Sequence, residues 1–189
     1  VRLSIFPLPG AILFPGLQLP LHVFEPRYRD LVGHALAKDR LIGIIQPQKS
    51  KDGAPLYEIG CVGRIADVEA LEDGRYNIVL DGLMKFRILS EDASRAYRLA
   101  EVEALPEVVE GSERPVLAQS RRQLERALRS FSPAMRLPPA DLADEDVVDG
   151  VSAVVPLAPA DRQELLEADG PIERATRLIG FLAKAAVPL

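Results

Sequence analysis

The sequence predicts an α+β chain. A small closed or partly open β-barrel with one inserted helix spans residues 1–110, and an α-helical bundle spans residues 111–189. Three observations predict it. The opening stretch Leu3–Tyr28 is dense in Leu, Ile and Phe but broken by Pro7, Pro9, Pro15, Pro20 and Pro26. Between Leu41 and Glu107, short apolar or alternating runs are separated by glycine-containing turns. From the segment Glu110–Pro115 onward (EGSERP), the apolar period becomes helical.

The prolines of the opening stretch exclude a helix, because each removes a backbone donor and clashes with the preceding turn. They also exclude a membrane span, which needs about 18 apolar residues without interruption. Two short buried strands remain, Leu3–Phe6 and Gln18–Phe24, joined by an apolar loop. Pro26 then opens a helix, where its missing N–H costs nothing. From Pro26 to about Lys38, residues Tyr28, Leu31, Val32, Ala35 and Leu36 recur at helical spacing and form one stripe. Leu41–Gln46 reads as a core strand, and Pro47–Pro55 as a polar loop turning at Asp52-Gly53. Tyr57–Leu71 reads as a long strand bent near Gly60 and Gly63, where a bulge or a close backbone approach is expected.

Glu72–Arg75 is a hairpin turn with Asp-Gly as its signal. Tyr76, Ile78 and Leu80 alternate on the return strand, Asp81-Gly82 marks a turn or bulge, and Lys85–Leu89 continues as strand. Arg98–Glu107 alternates again as a last strand. Short strands with glycine turns fit a small barrel. In the second part, Leu117, Leu124, Leu128 and Phe131 share a face of a helix over about 116–130. Three prolines within Ser132–Pro139 break it. Shorter helices follow over Asp144–Val155 and Ala160–Glu167. The last helix starts at Pro171 and is expected to bury Ile172, Thr176, Ile179, Leu182 and Ala186.

Charge and composition narrow the function classes. The net charge is −5, which gives no global attraction to a phosphate backbone. A single cysteine, Cys61, excludes an internal disulfide. One Cys and two His fall short of the four ligands of a closed zinc site, so no metal and no cofactor are expected. The apolar start lacks a basic leader followed by an unbroken apolar core, so a cytoplasmic location is expected.

The segments FPLPGAILFPG and LPLHVFEPRY, together with LYEIGCVGRIADVEALEDGRYNIVLDGLMKFRIL, give the chain a family likeness. They resemble the amino-terminal substrate-recognition domain of Lon-type ATP-dependent proteases, closely over Leu3–Leu89 and loosely beyond. The resemblance implies a PUA-like barrel and a module that recognises polypeptide. It implies no protease activity here. No Gly-Lys pair occurs, so the phosphate-cradling loop G-x-x-x-x-G-K-[ST] is absent. No segment corresponds to the family's Ser-Lys proteolytic module, and there is neither a G-x-S-x-G elbow nor an H-E-x-x-H motif. The expectation is a stand-alone, non-catalytic domain without the ATPase and protease modules.

The remaining reactive residues have plain structural readings. His22 lies in the second strand and His34 on the first helix, four residues after Asp30. Each reads as a structural or surface residue, since nothing supplies the polar partner set of a general base. Cys61, in the apolar run IGCVG, reads as a buried small hydrophobe. Arg121, Arg122, Arg126 and Arg129 form a basic helix face interrupted by Glu125, read as a solvated face with intrahelical ion pairs.

The loop Gly10–Leu17 is the candidate binding element, because Ala11, Ile12, Leu13, Phe14 and Leu17 are too many apolar side chains for so short a connection to bury. The expected peptide groove comprises Ile12, Leu13, Phe14, Leu17, Phe24, Tyr28 and Tyr57, with Lys49–Pro55 as a weaker opposite wall. The competing reading is that Phe14 and Leu17 plug one end of the barrel. The expected partner is an unfolded polypeptide or a specific protein, not a membrane or a nucleic acid, with the domain a monomer or weak homo-oligomer. A small-molecule or modified-nucleotide pocket in the barrel ranks second, and a hydrolase acting alone ranks last.

Overall fold

The computed structural model describes residues 1–92 and 94–185. The chain divides into two compact units, Val1–Pro106 and Glu107–Leu189. The first contains β1 (Arg2–Pro7), β2 (Gln18–Val23), α1 (Pro26–Leu36), β3 (Leu41–Ile45), β4 (Ile59–Ala70), β5 (Tyr76–Asp92) and β6 (Arg98–Leu105). The strands follow the order β2-β5-β4-β3-β1-β6, and β5 pairs with β6 as well. That last pairing closes β1, β3, β4, β5 and β6 into a ring, with β2 attached only to β5. β1 and β3 run parallel, and the other pairs are antiparallel. The expected barrel with one inserted helix is therefore present.

Ring closure depends on the length of β5. Its first part, Tyr76–Asp81, pairs with β2, and its second part, Lys85–Asp92, pairs with β6. β4 runs along both, with register shifts between Val62 and Gly63 and between Ile65 and Asp67. Bulges of this kind bend a strand and increase its twist, which a small barrel needs. Asp81-Gly82 is the bulge side of the sequence expectation rather than a turn. A Cβ on Gly82 would collide with the backbone carbonyl of Phe14, so this position needs the close approach only glycine allows. The Asp73-Gly74 hairpin turn is present, closed by the Leu71 N–H to the Arg75 carbonyl at 2.9 Å, with Gly74 at φ 80°.

Alternation along the strands builds two cores. Leu3 and Ile5 of β1, Ile45 of β3, Phe86 of β5 and Ala100 and Val102 of β6 form one cluster with Leu56. It fills the ring. The other cluster lies under α1, where Tyr28, Leu31, Val32 and Ala35 meet Phe6, Ile42, Ile44, Cys61, Ile65, Ile78 and Leu80. The stripe read from the sequence is the buried face of this helix, with Leu36 partly buried beside it.

The second unit contains α2 (Arg114–Phe131), α3 (Asp144–Val154), α4 (Pro159–Glu167) and α5 (Gly170–Ala185). Here two expectations fail. Arg121 does not belong to a solvated basic face. It is buried and holds the proline segment after α2, donating to the carbonyls of Pro139 at 2.8 Å and Leu142 at 2.7 Å, while pairing with Glu125 and Asp144. Only Arg122, Arg126 and Arg129 of the four arginines are exposed.

The buried face of α5 is likewise Pro171, Arg174, Ala175, Leu178 and Leu182, rotated from the predicted one, so Thr176 is exposed and Ile172 and Ile179 are half-buried. Ala186 lies outside the described residues. The rotation has one cause: Arg174 is fully buried between Glu107 and Asp149, and an apolar-period reading places arginine outside. Glu107 belongs with the helices through this bond.

Candidate functional site

The loop Gly10–Leu17 turns inward. Leu13 is 2% exposed and Phe14 0%, so neither offers side-chain surface to a partner. The backbone explains why. The Gly16 N–H donates to the Gly82 carbonyl at 2.9 Å, the Gly82 N–H to the Leu17 carbonyl at 2.8 Å, and the Leu17 N–H to the Phe14 carbonyl at 3.3 Å. These bonds fold the loop over the bulge of β5 and drive its apolar side chains into the core. Ile12, Leu17 and Tyr57 are half-buried, and Phe24 is 60% exposed at the end of β2, stacked beside His22 at 6.2 Å between ring centroids. The seven residues do not converge on one groove.

Tyr28 alone of them lines one of the clefts on this unit, the one between Pro7–Pro9 and the loop after β3. The cleft holds about 220 Å³. Pro7, Leu8 and Pro9 make one side, Ser50–Ala54 with Pro47 and Leu56 the other, and Tyr97 and Arg98 an end. Pro7 ends β1, and Pro9 restricts Leu8 to extended backbone before the chain turns at Pro9-Gly10. The floor is rigid: the Phe6 and Tyr28 ring centroids are 4.2 Å apart, and the Arg27 guanidinium lies 4.7 Å over the Tyr28 ring. Burial pushes the Tyr28 hydroxyl above its ordinary pKa, so it stays a neutral hydrogen-bonding group.

The opposing loop is fastened at two points. Arg27 Nη1 donates to Asp52 Oδ1 at 2.8 Å, and Arg98 Nη2 donates to the Ala54 carbonyl at 2.9 Å. The bond to Asp52 raises Arg27 above its ordinary pKa and lowers Asp52 below the usual carboxylate range. The Asp52 carboxylate is exposed, so solvent and salt screen the pair and it adds little to stability. Asp52→Ala is therefore expected to leave the melting temperature nearly unchanged. It should accelerate amide exchange at Ala54, whose N–H bonds the Lys51 carbonyl at 3.0 Å. Unchanged exchange would show that the ion pair does not fasten the loop.

Of the residues named from the sequence, Tyr28 and Ser50–Ala54 line this cleft, while Leu8, Arg27 and Arg98 were not named for it. The signals were the Pro-Leu-Pro run and an arginine adjoining the Tyr28 stripe. His34 Nδ1 is 3.0 Å from the Tyr97 hydroxyl, outside this cleft, and Cys61 is fully buried. Among the described residues, no three His, Cys, Asp or Glu side chains gather where a metal could bind. No described helix is long and apolar enough to cross a membrane. Among the described residues, no hydrogen-bonded nucleophile–base pair lines the cleft; its chemistry is that of an apolar floor with a fastened polar rim.

The ATP-dependent protease La (LON) substrate-binding domain matches residues 2–184. Lon protease 2 of Sorangium cellulosum is 32% identical over 178 residues, covering 87% of this chain and 22% of that protease. Lon protease 2 of Syntrophobacter fumaroxidans is 29% identical over 88% of this chain, again 22% of its own length. The chain thus spans about a fifth of the curated proteases it matches. Among solved structures, the Lon N-terminal domain protein from Xanthomonas campestris has a TM-score of 0.67 at 25% identity, covering 96% of this chain and 98% of that one. The N-terminal domain of the Mycobacterium avium complex Lon protease has a TM-score of 0.71 at 19% identity, covering 97% and 98%, and shares the fold. With the match running through both the barrel and the helical unit, the chain belongs to the Lon substrate-binding domain family.

Proposed function

We propose that this chain is a non-catalytic recognition module that binds unfolded polypeptide, with the cleft beside Tyr28 as its contact surface. The observation that carries the reading is the cleft's size and make-up. About 220 Å³ is below the roughly 300–1,000 Å³ of small-ligand pockets. It suits one or two side chains of an extended segment, received between the Pro7–Pro9 wall and the fastened loop. Phe24 offers a second apolar contact on the same unit, and among the described residues one edge of β2 has no strand partner. An extended segment can pair with such an edge. Pro20 removes one donor from β2, which limits that pairing and protects the edge from uncontrolled association. The rival reading, a small molecule held within the barrel, finds the ring interior filled by Ile5 and Phe86, both fully buried.

The test is fluorescence anisotropy of a labelled, permanently unfolded polypeptide titrated with the protein, followed by a gel of the same samples. Saturable binding with the polypeptide intact is expected. Leu8→Asp, which puts a charge in the apolar wall, should weaken binding about tenfold, or about 1.4 kcal/mol. Cleavage of the polypeptide would overturn the non-catalytic reading. Binding untouched by Leu8→Asp would move the contact surface elsewhere.

A further inference from the structure

Tyr97 also lines a second cavity, of about 460 Å³. Its surroundings have two characters. Half-buried Leu41, with the small accessible parts of Leu3, Ala35 and Leu99, gives an apolar floor. Arg2, Lys38 and Arg95 give a cationic rim. Two of these cations have carboxylate partners: Arg2 pairs with Asp92, and Lys38 lies 3.5 Å from Asp39. Arg95 does not. Its guanidinium donates to the Tyr97 hydroxyl at 3.0 Å and lies 5.9 Å from that ring, and among the described residues no carboxylate is within ion-pair reach of it. The Tyr97 hydroxyl also bonds His34 Nδ1 at 3.0 Å, so the partner that orients Arg95 is itself fixed.

We infer that this cavity receives the carboxy-terminal end of a polypeptide, its α-carboxylate on Arg95 and its last apolar side chain on the Leu3–Leu99 floor. The inference rests on the polypeptide-binding reading and names which part of the polypeptide is taken. An arginine held by a neutral partner keeps its charge-assisted donors for an anion, and carboxylates accept two of them side by side. The volume exceeds what a bare inorganic anion needs. At ~30 Å³ per water it equals about fifteen waters, far more than one oxyanion needs. A bare anion also has no use for the apolar floor. An internal segment could use the floor but brings a carboxylate to Arg95 only where Asp or Glu adjoins its apolar residue, whereas every free terminus carries one. A chain terminus supplies both groups at the required adjacency, and capture of a terminal carboxylate is a recurring mode of peptide recognition.

The test uses two labelled, N-acetylated peptides of one sequence ending in leucine, one with a free carboxylate and one amidated, titrated by anisotropy. The free acid is expected to bind at least tenfold more tightly than the amide. Arg95→Gln should abolish the difference, and added salt should shrink it. Equal binding of acid and amide, no acid binding at millimolar protein, or a ratio indifferent to Arg95→Gln would each overturn the proposal. Displacement of the acid by inorganic phosphate at matched concentration would also overturn it, because the site would then read only charge. If the ratio fails while unfolded polypeptide is still captured, the general reading stands without this one. If both fail, neither stands.

Discussion

Replacing Phe14 by Ala is expected to destabilise the barrel unit by about 3–5 kcal/mol. The side chain is fully buried, so the substitution removes a ring from water-free packing and leaves a cavity that a closed barrel cannot easily collapse. The backbone around it is committed as well, since the Phe14 carbonyl accepts the Leu17 N–H while Gly82 bonds both Gly16 and Leu17. For a unit of about this size, 1 kcal/mol shifts the melting midpoint by about 4–8 °C. A fall of at least about 12 °C should follow, read by the near-ultraviolet signal of the tyrosines, all four of which belong to this unit. Phe24→Ala provides the contrast. Its ring is 60% exposed, so a stability change within about 0.5 kcal/mol is expected. If Phe14→Ala cost no more than Phe24→Ala, the loop would not be the plug described, and its apolar residues would again be candidates for a partner surface.

That pair shows what the sequence could and could not carry. Both phenylalanines lie in the same proline-broken apolar stretch, and composition gives each the same claim to core or to surface. What separates them is pairing. The bonds to Gly82 draw Phe14 in, whereas β2 ends at Val23 and leaves Phe24 beyond it. Local periodicity read well where one element faced one core. The α1 stripe of Tyr28, Leu31, Val32 and Ala35 and the Asp73-Gly74 hairpin are examples. It failed where one strand served three neighbours. Nothing local in Tyr76–Asp92 says that its second half closes a ring.

The candidate cleft was half legible for the same reason. Tyr28 and the polar wall come from local pattern, but Arg98 reaches Ala54 across 44 residues. The helical unit misled differently, because burial of Arg121 and Arg174 inverts the rule that charge faces water.

Arg174→Leu is expected to cost the helical unit about 3–5 kcal/mol at neutral pH, with a cost that shrinks in acid. Arg174 Nη2 meets Glu107 Oε1 at 2.5 Å, Nη1 meets Asp149 Oδ1 at 2.6 Å, and Nε donates to the Leu165 carbonyl at 2.9 Å. One buried cation therefore serves two carboxylates. Removing it leaves both negative and desolvated, which is the expensive way to break a buried pair. The triad already carries surplus negative charge, and this sets its pH dependence. Burial, with the nearby Glu107 charge adding to it, outweighs the pull of Arg174 and pushes the Asp149 carboxyl up to about 6. An unfolded aspartate titrates near 3.9. The folded state thus holds a proton between these values that the unfolded state has lost.

Its stabilisation is complete below about pH 4 and is lost as pH rises through about 6, by linkage. For about two pKa units the effect is on the order of 3 kcal/mol. Asp149→Asn should remove that part of the pH dependence and keep an acceptor for Arg174. Urea unfolding followed by the helical far-ultraviolet signal, at pH 5 and pH 7, measures all of it. Parallel stability–pH curves for the parent and Asp149→Asn would show that Asp149 does not titrate in this range. A loss below about 1 kcal/mol for Arg174→Leu at pH 7 would mean that the helices hold together by their apolar faces alone, with the triad adding little.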